Sequence, residues 1–212
     1  MSSPHVFFAQ SQYIIKLFNP LLKDLNLNAE LPEFGRWLYD RNKKPSLWLN
    51  RKIGGKLICE SINIIIRDNI SESKEESKLL LYNLLKKAGL KIRWGHITPR
   101  YGVIDGVFYK HLPEKFFHSF SDQIWTKENS HGRFFGPAEK NGCYFYCGAV
   151  SKETGFTHKY ISFSSARDKF SEMFGKVSGV SILGLVEMDN LLDDDIYSTD
   201  DHDGKAVLLT IA

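Results

Sequence analysis

Tyr160-Ile161-Ser162-Phe163-Ser164-Ser165-Ala166-Arg167-Asp168-Lys169-Phe170-Ser171-Glu172-Met173-Phe174-Gly175 is followed, after a four-residue spacer, by Val180-Ser181-Ile182-Leu183-Gly184-Leu185-Val186-Glu187-Met188-Asp189-Asn190. The first run opens as a short aromatic strand ending in small hydroxyl residues. Ala166, Phe170, Met173 and Phe174 then recur at helical spacing, and Gly175 supplies a stop. From Val180 the chain is apolar and β-branched, which reads as a buried strand. Hydroxyls at a strand end can hold a carboxylate or a ribose by hydrogen bonds, and equally can cap the next helix. Ser162, Ser164 and Ser165 stand open to both uses.

Working outward, short aromatic and β-branched runs separated by turn residues predict further strands at 90–94, 103–109, 143–150, 159–163 and 206–211. Phe116, Phe117, Phe120 and Ile124 predict a helix over 113–124. The first ninety residues read mainly as helix. Tyr13, Ile14, Leu17 and Phe18 recur at helical spacing before Pro20, and Pro32 suits the first turn of a helix carrying Phe34, Trp37 and Leu38. The run Ile62–Ile66 is compatible with a strand or a buried helical turn. The clearest helix spans 74–88: Ser73 is a candidate N-cap, Glu75 and Glu76 sit at its positive end, and Lys86 and Lys87 at its negative end. The expected fold class is therefore α+β, a helical N-terminal region (1–90) followed by a β-rich domain (91–212).

With 212 residues, 42% of them hydrophobic and 25% charged, the chain is long enough to bury a core without disulfides and is not disordered. Cys59, Cys143 and Cys147 form no zinc-ligand spacing and read as thiols in a reducing compartment. No apolar run approaches the roughly 18–20 residues of a membrane span, and the first residues lack the pattern of a Sec signal. The expectation is a protein without a membrane partner, cytoplasmic or secreted without a cleavable signal peptide. The formal charge of +3 divides unevenly: residues 1–106 hold 17 Lys/Arg against 10 Asp/Glu, and residues 107–212 hold 11 against 15. Much of that contrast comes from a basic-aromatic segment at 36–56 and an acidic tail from Glu187 to Asp203.

The 160–190 stretch resembles the central motif of the ADP-ribosyltransferase superfamily. In the toxin-like branch an aromatic strand carries Ser-Thr-Ser, followed by a helix with a late aromatic and a strand resembling "GYIYEVxxDN". Here Ser162-Phe163-Ser164 stands in that place, with Phe163 where the family has Thr. In the poly-ADP-ribose polymerase branch an aromatic on this strand stacks on nicotinamide, and Tyr160 is its nearest match. The loop-like Ser130-His131-Gly132-Arg133-Phe134-Phe135-Gly136, followed by Tyr144-Phe145-Tyr146, also resembles the RES toxin domain, a relative that consumes NAD. The resemblance implies an α+β transferase using NAD as a substrate. It would displace nicotinamide and pass ADP-ribose to a macromolecular acceptor, protein or nucleic acid, or to water. It further implies that His111 or Arg133 holds NAD, Tyr160 stacks on nicotinamide, and Ser162 orients the catalytic acid. The family's Gln/Glu-x-Glu is absent, since no Glu follows Glu187, and the role falls to Asp201 ahead of the last strand. Asp is one methylene shorter, so that strand would have to approach closely. An inactive domain that keeps an NAD-shaped cleft is the open alternative.

A reading from another class rests on segment 36–56, with seven basic residues, one acid and the aromatics Trp37, Tyr39 and Trp48. Such a segment can bind phosphate backbones and stack bases in a non-catalytic binding module, or dock on the acidic tail of its own chain. His96-Ile97-Thr98 matches half of a two-histidine phosphoesterase pair, whose second copy is not found at workable spacing. Neither a G-x-S-x-G nor a P-loop is present.

Overall fold

The computed structural model describes residues 15–16, 31–93, 99–112 and 118–212. The first half holds β1 (Ile15–Lys16), β2 (Leu47–Ile53), β3 (Lys56–Cys59), β4 (Ile64–Asp68), α1 (Lys74–Lys87), β5 (Lys91–Arg93) and β6 (Tyr101–Ile104). There follow β7 (Val107–Leu112), β8 (Ser119–Ser121), β9 (Asn129–Lys140), β10 (Cys143–Glu153) and β11 (Tyr160–Ser162). The chain continues through α2 (Ser164–Gly175), β12 (Val180–Glu187), β13 (Tyr197–Ser198) and β14 (Lys205–Ile211).

Eleven strands join one sheet, with the path β1-β12-β14-β4-β10-β9-β7-β6 and with β11, β5 and β8 attached off it. A second sheet runs β13-β3-β2. Most pairings are antiparallel, but β14 lies parallel to β4, with Val207 opposite Ile64 and Ile211 opposite Asp68. Strands from both sides of residue 90 thus share the main sheet.

The expected helical N-terminal region is corrected by this arrangement: strands dominate, and the described part of residues 1–90 contains one helix, α1. The reason is tertiary. Phe34, Trp37 and Leu38 have helical spacing, but their segment runs extended, making bridges from Phe34 to Ile104, from Trp37 to Ser61 and from Tyr39 to Tyr101. Gly35 donates its N–H to the Val103 carbonyl at 2.8 Å, where a Cβ would meet Val103 Cβ at 2.9 Å. The β-branched Ile64–Ile66 run is a central strand, fully buried on both faces. Where local signals agree, a helix forms: Ser73 accepts from the Glu76 N–H and α1 buries Leu81, Leu84 and Leu85. Tyr13, Ile14, Leu17 and Phe18 lie outside the described residues. The helix expected over 113–124 is also corrected in its described part, since Ser119–Ser121 is strand β8, paired with β5 and β9.

Alternation along the strands divides the core. Ile64, Ile66, Phe134, Tyr146, Leu209 and Ile211 pack with α1 and α2, chiefly against Leu85, Phe170 and Phe174. On the other face Ile65, Phe135, Phe145, Cys147 and Leu208 pack under Phe34, Leu38 and Ile104. Phe170 is fully buried, and truncation to Ala would cost about 3–5 kcal/mol. No helix among the described residues is long and apolar enough to cross a membrane.

Candidate functional site

Where β2, β9 and β10 converge, the backbone departs from regular pairing. The β2–β3 register shifts between Leu47 and Lys52, and the bulged residues Leu49 and Asn50 adopt φ values of 46° and 52°. Non-glycine residues rarely adopt these angles, and a bulge of this kind re-aims side chains. It leaves Trp48 buried against His131 and Tyr160, at centroid distances of 5.6 and 5.8 Å. On β9, Gly132 is dictated by β10: a Cβ there would lie 2.3 Å from Val150 Cγ1. His131 and Arg133 flank that contact. The segment read as loop-like is therefore strand interior.

These elements enclose a cavity of about 490 Å³, within the range typical of small-molecule sites. Its lining includes Arg51, Arg93, Arg100 and Arg133 against Glu60 and Glu153, together with Trp48, Trp125 and His158. Arg93 and Arg133 are only 7% and 6% exposed, so their charges need partners. Arg93 pairs with Glu153 Oε1 at 2.6 Å and donates to Asn129 Oδ1 at 2.8 Å. His158 Nδ1 lies 3.0 Å from the same Glu153 oxygen. Arg133 Nη1 is 3.5 Å from Glu60 Oε1, and Arg100 Nε is 3.6 Å from Oε2, which also accepts from the Ser46 hydroxyl at 2.5 Å.

Two carboxylates do not balance four guanidiniums. Burial pushes Arg133 down to about 10; Glu60 resists that shift, while Arg100 and Arg93 add to it. Burial, then Arg93, Arg133 and His158, holds His131 well below the ordinary imidazole value. Among the described residues, the buried Nε atoms of Arg93 and Arg133 and Nε1 of Trp48 have no hydrogen-bond partner. Such a concavity carries an excess of positive charge, which favours an anion.

The residues singled out in the sequence are divided by this geometry. Arg133 lines the cavity. His111 is buried behind it, 3.4 Å through Nδ1 from the Arg100 backbone N–H, and is pushed down to about 4 by burial and then by Arg133. Tyr160, Ser162 and Asp201 come together in a separate knot. Asp201 accepts from the Tyr160 and Ser162 hydroxyls, each at 2.5 Å, and from the Phe163 and Ser164 N–H groups. Burial would raise this carboxyl, but the bonds from Ser162, Tyr160, Phe163 and Ser164 outweigh it and keep the carboxyl below the usual carboxylate value. Ser162 Oγ also receives the Ser165 N–H at 2.8 Å, so the knot secures the start of α2. Tyr160 meets the cavity only through Trp48.

Sequence reasoning missed Trp48 as a site residue, and Glu60, Arg93, Arg100, Glu153 and His158 altogether. Each stands at a strand end or in a connection, without a local signature. The basic-aromatic segment behaves differently from a stacking platform. Trp37, Tyr39 and Trp48 are buried, while Arg36 pairs with Asp189 at 2.5 Å and Lys56 with Asp193 at 2.6 Å. These pairs between the basic segment and the acidic tail have exposed acidic partners, and each is worth about 1 kcal/mol or less.

Among the described residues, no group of three or more His, Cys, Asp or Glu side chains is placed to hold a metal ion. No protein-family model, curated protein or solved structure matches this chain.

Proposed function

We propose that the arginine-lined cavity binds NAD as a substrate and that the chain breaks the nicotinamide–ribose bond, passing ADP-ribose to a macromolecular acceptor or to water. The supporting observation is the guanidinium excess in a cavity walled by indoles. Arg93 and Arg133 provide forked donors suited to a pyrophosphate, and Trp48 and Trp125 offer faces or edges to its rings. As the C–N bond breaks, its electron pair leaves with the nicotinamide nitrogen and positive charge develops on the ribosyl carbon. A carboxylate beside that carbon lowers the barrier. Glu60 suits this role better than Asp201. Among the described residues its Oε1 has only the 3.5 Å contact with Arg133, whereas both Asp201 oxygens are already occupied.

A nucleic-acid-binding module acting through 36–56 is less favoured, because Trp37 and Tyr39 are in the core and Arg36 and Lys56 pair with the acidic tail. The test is the NAD-dependent shift in melting temperature together with release of nicotinamide from labelled NAD. Wild type should show both. Arg133→Met should lose the shift, and Glu60→Gln should keep it while losing release. Neither shift nor release in the wild type would overturn the reading.

A further inference from the structure

His158 stands out in the cavity by its backbone as well as by its ring. Its φ is 46°, and the loop around it is pinned by hydrogen bonds from His158 N to Gly155 O (3.0 Å) and from Lys159 N to Thr154 Oγ1 (3.0 Å). Gly155 sits so close to the backbone of Thr126 that a Cβ would lie 2.2 Å from its carbonyl oxygen. This ties the loop to the connection that carries Trp125, whose indole stacks on the His158 ring at 6.3 Å and 11°. The imidazole is thus fixed in orientation.

The charged groups around it are Glu153 on β10, Arg93 on β5, His131 on β9 and Arg51 on β2, the last donating to the Thr157 carbonyl at 3.3 Å. Nδ1 is 3.0 Å from Glu153 Oε1 and 3.2 Å from Arg93 Nη2, while Nη2 is 2.6 Å from that same oxygen. In the tautomer that donates Nδ1–H to this oxygen, the lone pair lies on Nε2. Nε2 makes no hydrogen bond among the described residues, and the side chain, 37% exposed, contributes to the cavity lining.

We propose that His158 is the general base of the transfer step, with Glu153 as its positioning residue. The assignment rests on the NAD reading above. The acceptor's oxygen or nitrogen forms a bond to the ribosyl carbon as the bond to nicotinamide breaks, and the acceptor's proton passes to Nε2. No oxidant or reductant enters. General base catalysis of this kind is worth about 10²–10⁴-fold.

The experiment follows ADP-ribose formation from NAD with water as acceptor, across pH, for wild type, His158→Gln and His158→Ala with and without imidazole. NAD-dependent melting shifts are measured alongside. The expected result is an unchanged melting shift in His158→Gln, a rate lower by about a hundredfold and an altered pH profile. Added imidazole should restore part of the His158→Ala rate. A His158→Gln enzyme with near-wild-type rate and the wild-type pH profile overturns the role of His158 while leaving the NAD reading standing. Absence of NAD binding and turnover in wild type overturns both.

Discussion

Two carboxylate clusters flank the Trp48–Tyr160 ring contact, and they differ in what surrounds them. Asp201 is ringed by hydroxyl and backbone donors that it fully occupies, with its neighbour Asp203 paired to Arg167 at 2.5 Å. Glu60 and Glu153 are outnumbered by guanidiniums, two of which keep a buried N–H without an acceptor. The first arrangement is closed: its polar atoms satisfy one another and secure a helix start. The second is open: its two carboxylates leave guanidinium charge unmatched. Polar residues brought together therefore do not by themselves mark a site; an unbalanced remainder does.

The sharpest way to break this contrast is Glu153→Gln. Removing one partner of the buried Arg93–Glu153 pair strands a charge, and urea unfolding should show a loss of about 3–5 kcal/mol. ADP-ribose should restore part of the melting temperature. Next in size is Arg133→Met. Because Arg133 is already opposed by burial and by Arg93 and Arg100, its stability cost should stay below about 1 kcal/mol. Calorimetry should show ADP-ribose affinity lower by about ten- to a hundredfold, or about 1.4–2.8 kcal/mol. The opposite pattern is expected of Asp201→Ala: a stability loss of about 1–2 kcal/mol from the missing cap, with ADP-ribose affinity unchanged. Reduced affinity in that variant would erase the distinction between the two clusters.

The smallest effect comes from pH. His111 and His202 are both pushed down from 6.5 to about 4, chiefly by burial, so the unfolded chain binds more protons between those values. Stability is then fully present above the unfolded value and falls as pH drops from about 6.5 towards 4. Between pH 7 and 6 each histidine contributes a loss of about 0.7 kcal/mol. Melts in matched buffers should show that decline, and His202→Gln should flatten it.

Local agreement made part of the fold legible. Helix α1 carries its cap, its charges and its leucine face in consecutive residues, and α2 likewise announces itself through Ala166, Phe170 and Phe174. Segment 31–45 misleads because its apolar spacing serves packing in an extended chain whose partners, Ser61 and residues 101–104, are far away in sequence. The hydroxyl run at 162–165 reads as a holder of a carboxylate, and Asp201 is the carboxylate held, yet its structural use was invisible without the bonds from Phe163 and Ser164. Arg133 was legible from Gly-Arg-Phe. Glu60, Arg93, Glu153 and His158 were not, since single charged residues on separate elements acquire meaning only when the sheet assembles them.

The parallel pairing of β14 with β4 has a consequence for biosynthesis. Val207 bonds into register with Ile64, and β14 fills the gap between β12 and β4. Until residues 205–211 leave the ribosome, both neighbours present open edges and the main sheet is divided. A nascent chain paused before that point exposes two adhesive strand borders.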